Sequence, residues 1–175
     1  MQTFLPYEDF RASLAVLDNR RLCKQIVEAW QILSGRVPQT NHPACLMWEK
    51  HHPALARYIL YACEEYTARF GKDHSILAKL LDRPLTLGEW DFHVSPLLRL
   101  SHCVNLWRKG VSVEAMRREA DRIATVAFGS PVELDAYPEG YFWPVQPVGR
   151  KASADRNRWL AFWKARAIPG QALAA

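Results

Sequence analysis

One carboxylate of the sequence, Glu28, falls among basic and amide side chains on a strongly amphipathic segment. On a helical wheel of residues 19–33, the apolar residues share one broad arc, and the opposite side carries Arg21, Lys24, Gln25 and Glu28. A carboxylate in this setting can move protons while cationic neighbours hold phosphates. The same pattern fits an ordinary solvated helix face with a Lys24–Glu28 pair. The pattern alone leaves both interpretations open and favours the ordinary one.

The elements around this segment are predicted to be helical. Helices are expected at 8–17, 19–33, 44–50, 53–70, 75–81, 96–109, 112–128 and 153–167. Asp18 or Asn19 is the expected N-cap of the second helix, and Ser153 that of the last. Residues 130–150 are expected to form an extended loop, and residues 84–94 to pack or to link two helical halves. We therefore predict an all-α fold, with a single compact multi-helix domain at 1–168 and a frayed tail at 169–175.

Composition bounds the class of protein. The chain has 175 residues, 49% of them apolar, and 23 Lys and Arg against 18 Asp and Glu. This basic surplus permits nucleic-acid binding without requiring it. The four cysteines lack metal-ligand spacing, the start carries no signal pattern, and no apolar run approaches a membrane span. The sequence thus predicts a cytoplasmic protein with reduced thiols, no metal site and no membrane contact.

Five short strings, in this order along the chain, carry a family resemblance. They are MQTFLPYEDF at the start, LDNRRLCKQIVEAWQIL at 17–33, NHPACLMW at 41–48, SHCVNLWRK at 101–109 and YFWP at 141–144. Together they resemble a bacterial and phage subgroup of the pyrimidine-dimer DNA glycosylases of the endonuclease V type. The resemblance covers most of residues 1–145, and the stretch 72–95 fits it loosely.

The resemblance implies a fold, a partner and a mechanism. Such enzymes are compact helical proteins that need no cofactor, and it implies a monomer acting on double-stranded DNA with a damaged or modified base. The N-terminal α-amine attacks C1′ of the damaged nucleotide and expels the base, and β-elimination of the resulting Schiff base cuts the strand. A glutamate on an early helix assists these steps. The resemblance places this glutamate at Glu28.

The sequence departs from the family pattern at two positions. A glutamine at position 2 normally leaves the initiator methionine in place, so the expected nucleophile is the α-amine of Met1. If Met1 were removed, Gln2 could cyclise and lose its amine. Val27 stands where a basic residue is expected before the glutamate. Nearby positive charge is supplied by Arg20, Arg21 and Lys24.

Further DNA contacts are expected from other strings. His42 could contact DNA in the cleft, or it could belong to a turn in which Asn41 caps the next helix and Pro43 takes its first position, with neither favoured. His102, Asn105 and Lys109 would share one helix face near Arg108, and this stripe is predicted to contact DNA. Tyr141 and Trp143 could stack on an unpaired base or pack onto the domain.

We therefore predict a DNA glycosylase, with or without AP-lyase activity, that excises a damaged or modified pyrimidine. One alternative is a non-catalytic DNA-binding module of the same fold. Another alternative is an enzyme acting on free nucleotides or nucleosides, which would bind with little salt dependence.

Overall fold

The computed structural model describes residues 2–37, 41–83 and 94–168, and regular structure in these ranges is helical. The helices are α1 (Phe10–Ala15), α2 (Asn19–Leu33), α3 (Pro43–Trp48), α4 (His52–Phe70), α5 (Ser75–Leu81), α6 (Pro96–Arg108), α7 (Val113–Phe128) and α8 (Arg150–Lys164), with a 3-10 turn at Leu134–Ala136. The all-α prediction is confirmed. The predicted tail at 169–175 and all but the last residue of the segment 84–94 lie outside the described residues.

Local signals set most helix ends. The Asp18 side chain accepts a hydrogen bond from the Arg21 amide and starts α2 at the predicted place. Gly71 has a φ of 66° and ends α4, because a left-handed residue terminates the helical hydrogen bonding. Asp9 caps α1, which makes this helix shorter than predicted.

The predicted start of α8 was wrong. The helix begins one turn before Ser153, after Gly149, and the Ser153 hydroxyl donates to the Pro147 carbonyl instead of capping. Helical propensity across 150–152 therefore extends the helix beyond the obvious capping residue.

The core lies between two packed groups of helices. Helix α2 packs on α4, which also contacts α1, and α6 packs on α7. Phe10 meets Trp48 and Tyr58 edge-on, with ring centroids 6.1 and 5.2 Å apart, and all three side chains are fully buried. Complete burial of large side chains such as these stabilises a fold by about 1.5–3 kcal/mol each.

Two predictions about the class of protein can be compared with the structure. Cys23, Cys45, Cys63 and Cys103 form no disulfide bond in the structure. Within the described ranges, no helix combines the length and the apolar character that crossing a membrane requires.

The amino-terminal segment, residues 2–5, is the feature that builds the site. It is extended and buried in the angle between α2, α4 and α6. Because it forms no helix or sheet there, its backbone groups need side-chain partners. Those partners come from the helices around it.

Candidate active site

Gln25 of α2 clamps the amino-terminal segment. Its side-chain oxygen accepts from the Phe4 amide at 2.8 Å and from the Tyr58 hydroxyl at 2.9 Å, and its amide nitrogen donates to the Gln2 carbonyl at 2.9 Å. The helical wheel assigned Gln25 to the polar outer face, but its side chain is buried. It is covered because the segment lies directly on this face of α2.

Glu28 lies one turn beyond Gln25 and is in contact with the same segment. Its Oε2 accepts a 2.9 Å hydrogen bond from the backbone amide of Gln2, and Lys24 Nζ lies 3.6 Å from Oε1. The Glu28 side chain is 12% exposed and that of Lys24 is 68% exposed. Glu28 is therefore a largely enclosed carboxylate at the chain start, whereas Lys24 reaches into solvent.

His102 of α6 holds the segment from the other side. Its Nδ1 accepts from the Leu5 amide at 2.8 Å, and its Nε2 lies 2.6 Å from the side-chain amide of Gln2. Complete burial lowers the pKa of His102 to about 3, so the ring is neutral at physiological pH. A neutral ring that accepts at Nδ1 carries its proton on Nε2.

An open cleft of about 370 Å³ lies above the segment and the outer face of α2. Its lining combines one carboxylate, four cationic side chains, two amides and two aromatic rings. These residues are Gln2, Phe4, Arg20, Arg21, Lys24, Gln25, Glu28, Lys109 and Tyr141. The cleft thus joins the N-terminal string of the sequence to α2, to the end of α6 and to the loop after the 3-10 turn.

Lys109 and Tyr141 form the aromatic side of the cleft. The Lys109 ammonium donates to the Tyr141 hydroxyl, and Nζ lies 4.8 Å from the centre of the Tyr141 ring and 5.5 Å from that of Phe4. Burial, followed by the charge of Arg21, lowers the pKa of Lys109. Burial raises the pKa of Tyr141 to about 12, so its phenol stays neutral at physiological pH.

His42 and Trp143 meet beside the cleft. The His42 ring accepts from the Ala44 amide and caps α3, with Pro43 at the first helical position. The predicted position of Pro43 is thus confirmed, but the prediction of Asn41 as the cap was wrong, because the His42 ring takes that place. The His42 and Trp143 rings meet edge-on at 5.8 Å, and Trp143 is buried. Trp143 therefore packs against the domain in this structure, whereas Tyr141 faces the cleft.

The residues of the predicted stripe on α6 lie in different environments in the structure. Lys109 lines the cleft, but the His102 side chain is completely covered by protein. Asn105 is also buried and donates to the carbonyls of Ser101 and Gly140 at 2.8 and 2.6 Å. Arg108 donates to the Tyr137 and Pro138 carbonyls at 2.8 and 2.9 Å. In this conformation, Asn105 and Arg108 hold the loop that carries Tyr141.

Sequence reasoning missed the clamp formed by Gln25 and Tyr58. No spacing rule links them to residues 2–5, because the contacts span 21 to 54 positions in the chain. Phe4, at the base of the cleft, was missed for the same reason. The one available signal was the position of Gln25, one helical turn before Glu28 on the polar face of α2.

Fold and site together define a helical protein with an enclosed carboxylate beside its amino-terminal segment and a cleft lined by four cationic side chains. Residues 1–79 match the family model of the pyrimidine dimer DNA glycosylases. The predicted resemblance to that family is therefore confirmed, and the match supports a DNA glycosylase acting on DNA. Searches of curated proteins and of solved structures gave no match.

Proposed function

We propose that this protein excises a damaged or modified pyrimidine from double-stranded DNA, with Glu28 as the acid/base group and the α-amine of Met1 as the nucleophile. Met1 itself lies outside the described residues. The observation that carries the proposal is the 2.9 Å hydrogen bond from the Gln2 amide to Glu28. The α-amine of residue 1 is separated from that nitrogen only by its own Cα and carbonyl carbon, and this short covalent link supports a site shared by the amine and the carboxylate.

The two groups suit base excision. An α-amine has a reference pKa near 8, so a larger fraction is unprotonated at neutral pH than for a lysine. Its attack on C1′ forms a nitrogen–carbon bond and breaks the bond to the base. The Glu28 carboxylate takes the proton that the amine loses and returns it as the sugar ring opens to the imine. Removal of a C2′ proton then allows the 3′ phosphate to leave, which is the AP-lyase step.

The rest of the cleft suits a nucleotide taken out of the duplex. Arg20, Arg21 and Lys24 rim the cleft and can hold backbone phosphates. Tyr141 offers a ring face on which an extruded base can stack. His102 contributes as a positioning residue, because it fixes Gln2 and Leu5 and thereby the start of the chain.

The direct test is the substitution Glu28→Gln, assayed by base release from duplexes that carry a pyrimidine dimer or a modified pyrimidine. The glutamine oxygen can still accept from the Gln2 amide, so the segment should stay in place while proton transfer is lost. We expect turnover to fall at least 100-fold with DNA affinity unchanged. The matched control is Glu114→Gln on α7, an exposed glutamate outside the cleft, which should behave as wild type.

The alternatives give other results. A non-catalytic binding module would release no base, and Glu28→Gln would strengthen its binding because a negative charge facing phosphates is removed. An enzyme acting on free nucleotides would bind duplex DNA with little salt dependence. If turnover survives in Glu28→Gln, the proposed role of this carboxylate is wrong.

A further inference from the structure

A second amine faces the cleft of the proposed active site. Two lysines line it, Lys24 and Lys109, and their surroundings differ. Both are exposed, but Lys24 has a carboxylate neighbour, Glu28. Lys109 has no carboxylate within ion-pair distance among the described residues. Instead it lies against the rings of Phe4 and Tyr141.

The surroundings of Lys109 are those of a nucleophilic lysine. Its hydrogen-bond acceptor is the neutral phenol of Tyr141, which supplies no compensating negative charge. The Lys109 side chain is exposed at the edge of the cleft, but desolvation of its amine and the nearby Arg21 both favour the uncharged form, and the pKa of Lys109 is lowered as a result. Amines activated by desolvation and by a cationic neighbour are the ones that form imines with carbonyl substrates.

We infer that Lys109 is a second nucleophile of this cleft, whose ε-amine forms an imine with the opened sugar of an abasic site. This inference rests on the proposed function, because it assigns a substrate to the same cleft. The abasic sugar is the chemical product of base excision, and in its open form it carries an aldehyde at C1′. The cleft therefore holds both an amine for the damaged nucleotide and an amine for the abasic product.

The step balances without an added reactant. The unprotonated Nζ of Lys109 adds to C1′, and water leaves as the C1′–Nζ double bond forms. A C2′ proton passes to a base, for which the cleft offers the Glu28 carboxylate, and the bond from C3′ to the 3′ phosphate oxygen breaks. Water then hydrolyses the imine and returns Lys109 as a free amine.

Borohydride trapping tests the assignment. The protein is mixed with a duplex that carries one abasic site, reduced, digested, and mapped by mass spectrometry. We expect an adduct on Lys109, which persists when the chain's α-amine is acetylated. In the protein with its α-amine acetylated, Lys109→Arg should retain the positive charge and DNA binding but lose at least 90% of the trapped adduct. The control Lys79→Arg, on the exposed side of α5 and outside the cleft, should trap as wild type.

The outcomes separate this inference from the proposed function. An adduct confined to the first residue and unchanged in Lys109→Arg overturns the role of Lys109 and leaves base excision standing. Base release from damaged duplexes without any adduct likewise overturns the role of Lys109 and leaves base excision standing. An adduct on Lys109 with no base release from any damaged duplex supports Lys109 and overturns the glycosylase. If neither adduct nor base release is found, both are overturned.

Discussion

Glu28 and Gln2 are 26 residues apart in the sequence and are joined by a 2.9 Å hydrogen bond from the Gln2 amide to Oε2. This bond fixes the orientation of the carboxylate relative to the start of the chain. The neighbouring contacts of Gln25 and His102 fix the segment itself. The catalytic geometry that we propose therefore depends on residues that have no chemical role in the reaction, and these can be tested separately.

The clamp residue Gln25 offers the first test. Gln25→Ala leaves the Phe4 amide and the Gln2 carbonyl without their partner, and the Tyr58 hydroxyl keeps only its 3.3 Å bond to the Phe4 carbonyl. Unsatisfied buried groups are costly, so the free energy of unfolding should fall by about 2–4 kcal/mol, and turnover should fall with it. Urea unfolding measures the stability. Gln31→Ala, in the same helix but only half-buried, is the control and should cost well under 1 kcal/mol. Equal stability of the two variants would contradict the clamp.

The buried His102 predicts a pH dependence of stability. Its folded-state pKa is lowered to about 3, whereas the unfolded chain titrates near 6.5. Below pH 6.5 the unfolded state therefore binds an extra proton, so stability falls as the pH falls from 6.5 towards 3. Between pH 7.5 and 5.0 this group alone should lower the free energy of unfolding by about 2 kcal/mol.

The variant His102→Asn isolates the contribution of His102 to the pH dependence of stability. The asparagine oxygen can accept from the Leu5 amide, but the side chain does not titrate. Urea unfolding of both proteins at the two pH values gives the difference. The variant should lose about 2 kcal/mol less than wild type on acidification. Parallel losses would show that the His102 ring is charged or solvated in the folded protein.

The cationic rim of the cleft predicts a salt dependence of binding. Arg20→Ala removes one proposed phosphate contact, so the slope of log K against log salt should become shallower by about 0.9. Fluorescence anisotropy with a labelled duplex over a range of salt concentrations measures the slope. Arg117→Ala also removes one positive charge, but from the exposed face of α7, and should leave the slope unchanged. If both variants shift the slope alike, binding does not centre on this cleft.

The loop that carries Tyr141 depends on Gly140. This glycine has a φ of 80°, and an added Cβ would overlap the carboxylate of Asp155. Its carbonyl also accepts from Asn105 and Trp159, so it cannot shift freely. Gly140→Ala should therefore cost about 3 kcal/mol of stability, measured by urea unfolding.

Gly35→Ala is the matched control for that glycine. Its φ is 69°, but nothing lies within 4 Å of an added Cβ. Only the cost of placing an alanine at a positive φ remains, so the free energy of unfolding should fall by about 1 kcal/mol. A similar loss in both variants would mean that the Asp155 contact does not constrain the loop.

Much of the fold follows from local sequence signals. The limits of α2 and α5 agree with the predictions, because Asp18, the leucine and isoleucine spacing and the flanking polar residues act within one or two turns. Ser153 misled the prediction of α8, since a good capping residue can also lie inside a helix and bond to the preceding loop.

The site could be predicted only in part, for a related reason. The setting of Glu28 on α2 left its role open and the family resemblance singled it out, and its neighbours Arg21 and Lys24 line the same cleft. His102 and Asn105 were assigned to an exposed stripe because a helical wheel shows which residues share a face but not what covers it. The cover comes from residues 2–5 and from Gly140, which are distant in sequence.

The clamp on the amino-terminal segment also bears on how the protein can be divided. Residues 1–79, which match the family model, contain Glu28, Gln25 and Tyr58, but His102, Lys109 and Tyr141 all follow that boundary. A fragment that ends at residue 79 would carry the recognisable motif and lack one wall of the cleft. During synthesis, the cleft can be completed only after Lys109 and Tyr141 have left the ribosome, so the site cannot form from the matched residues alone.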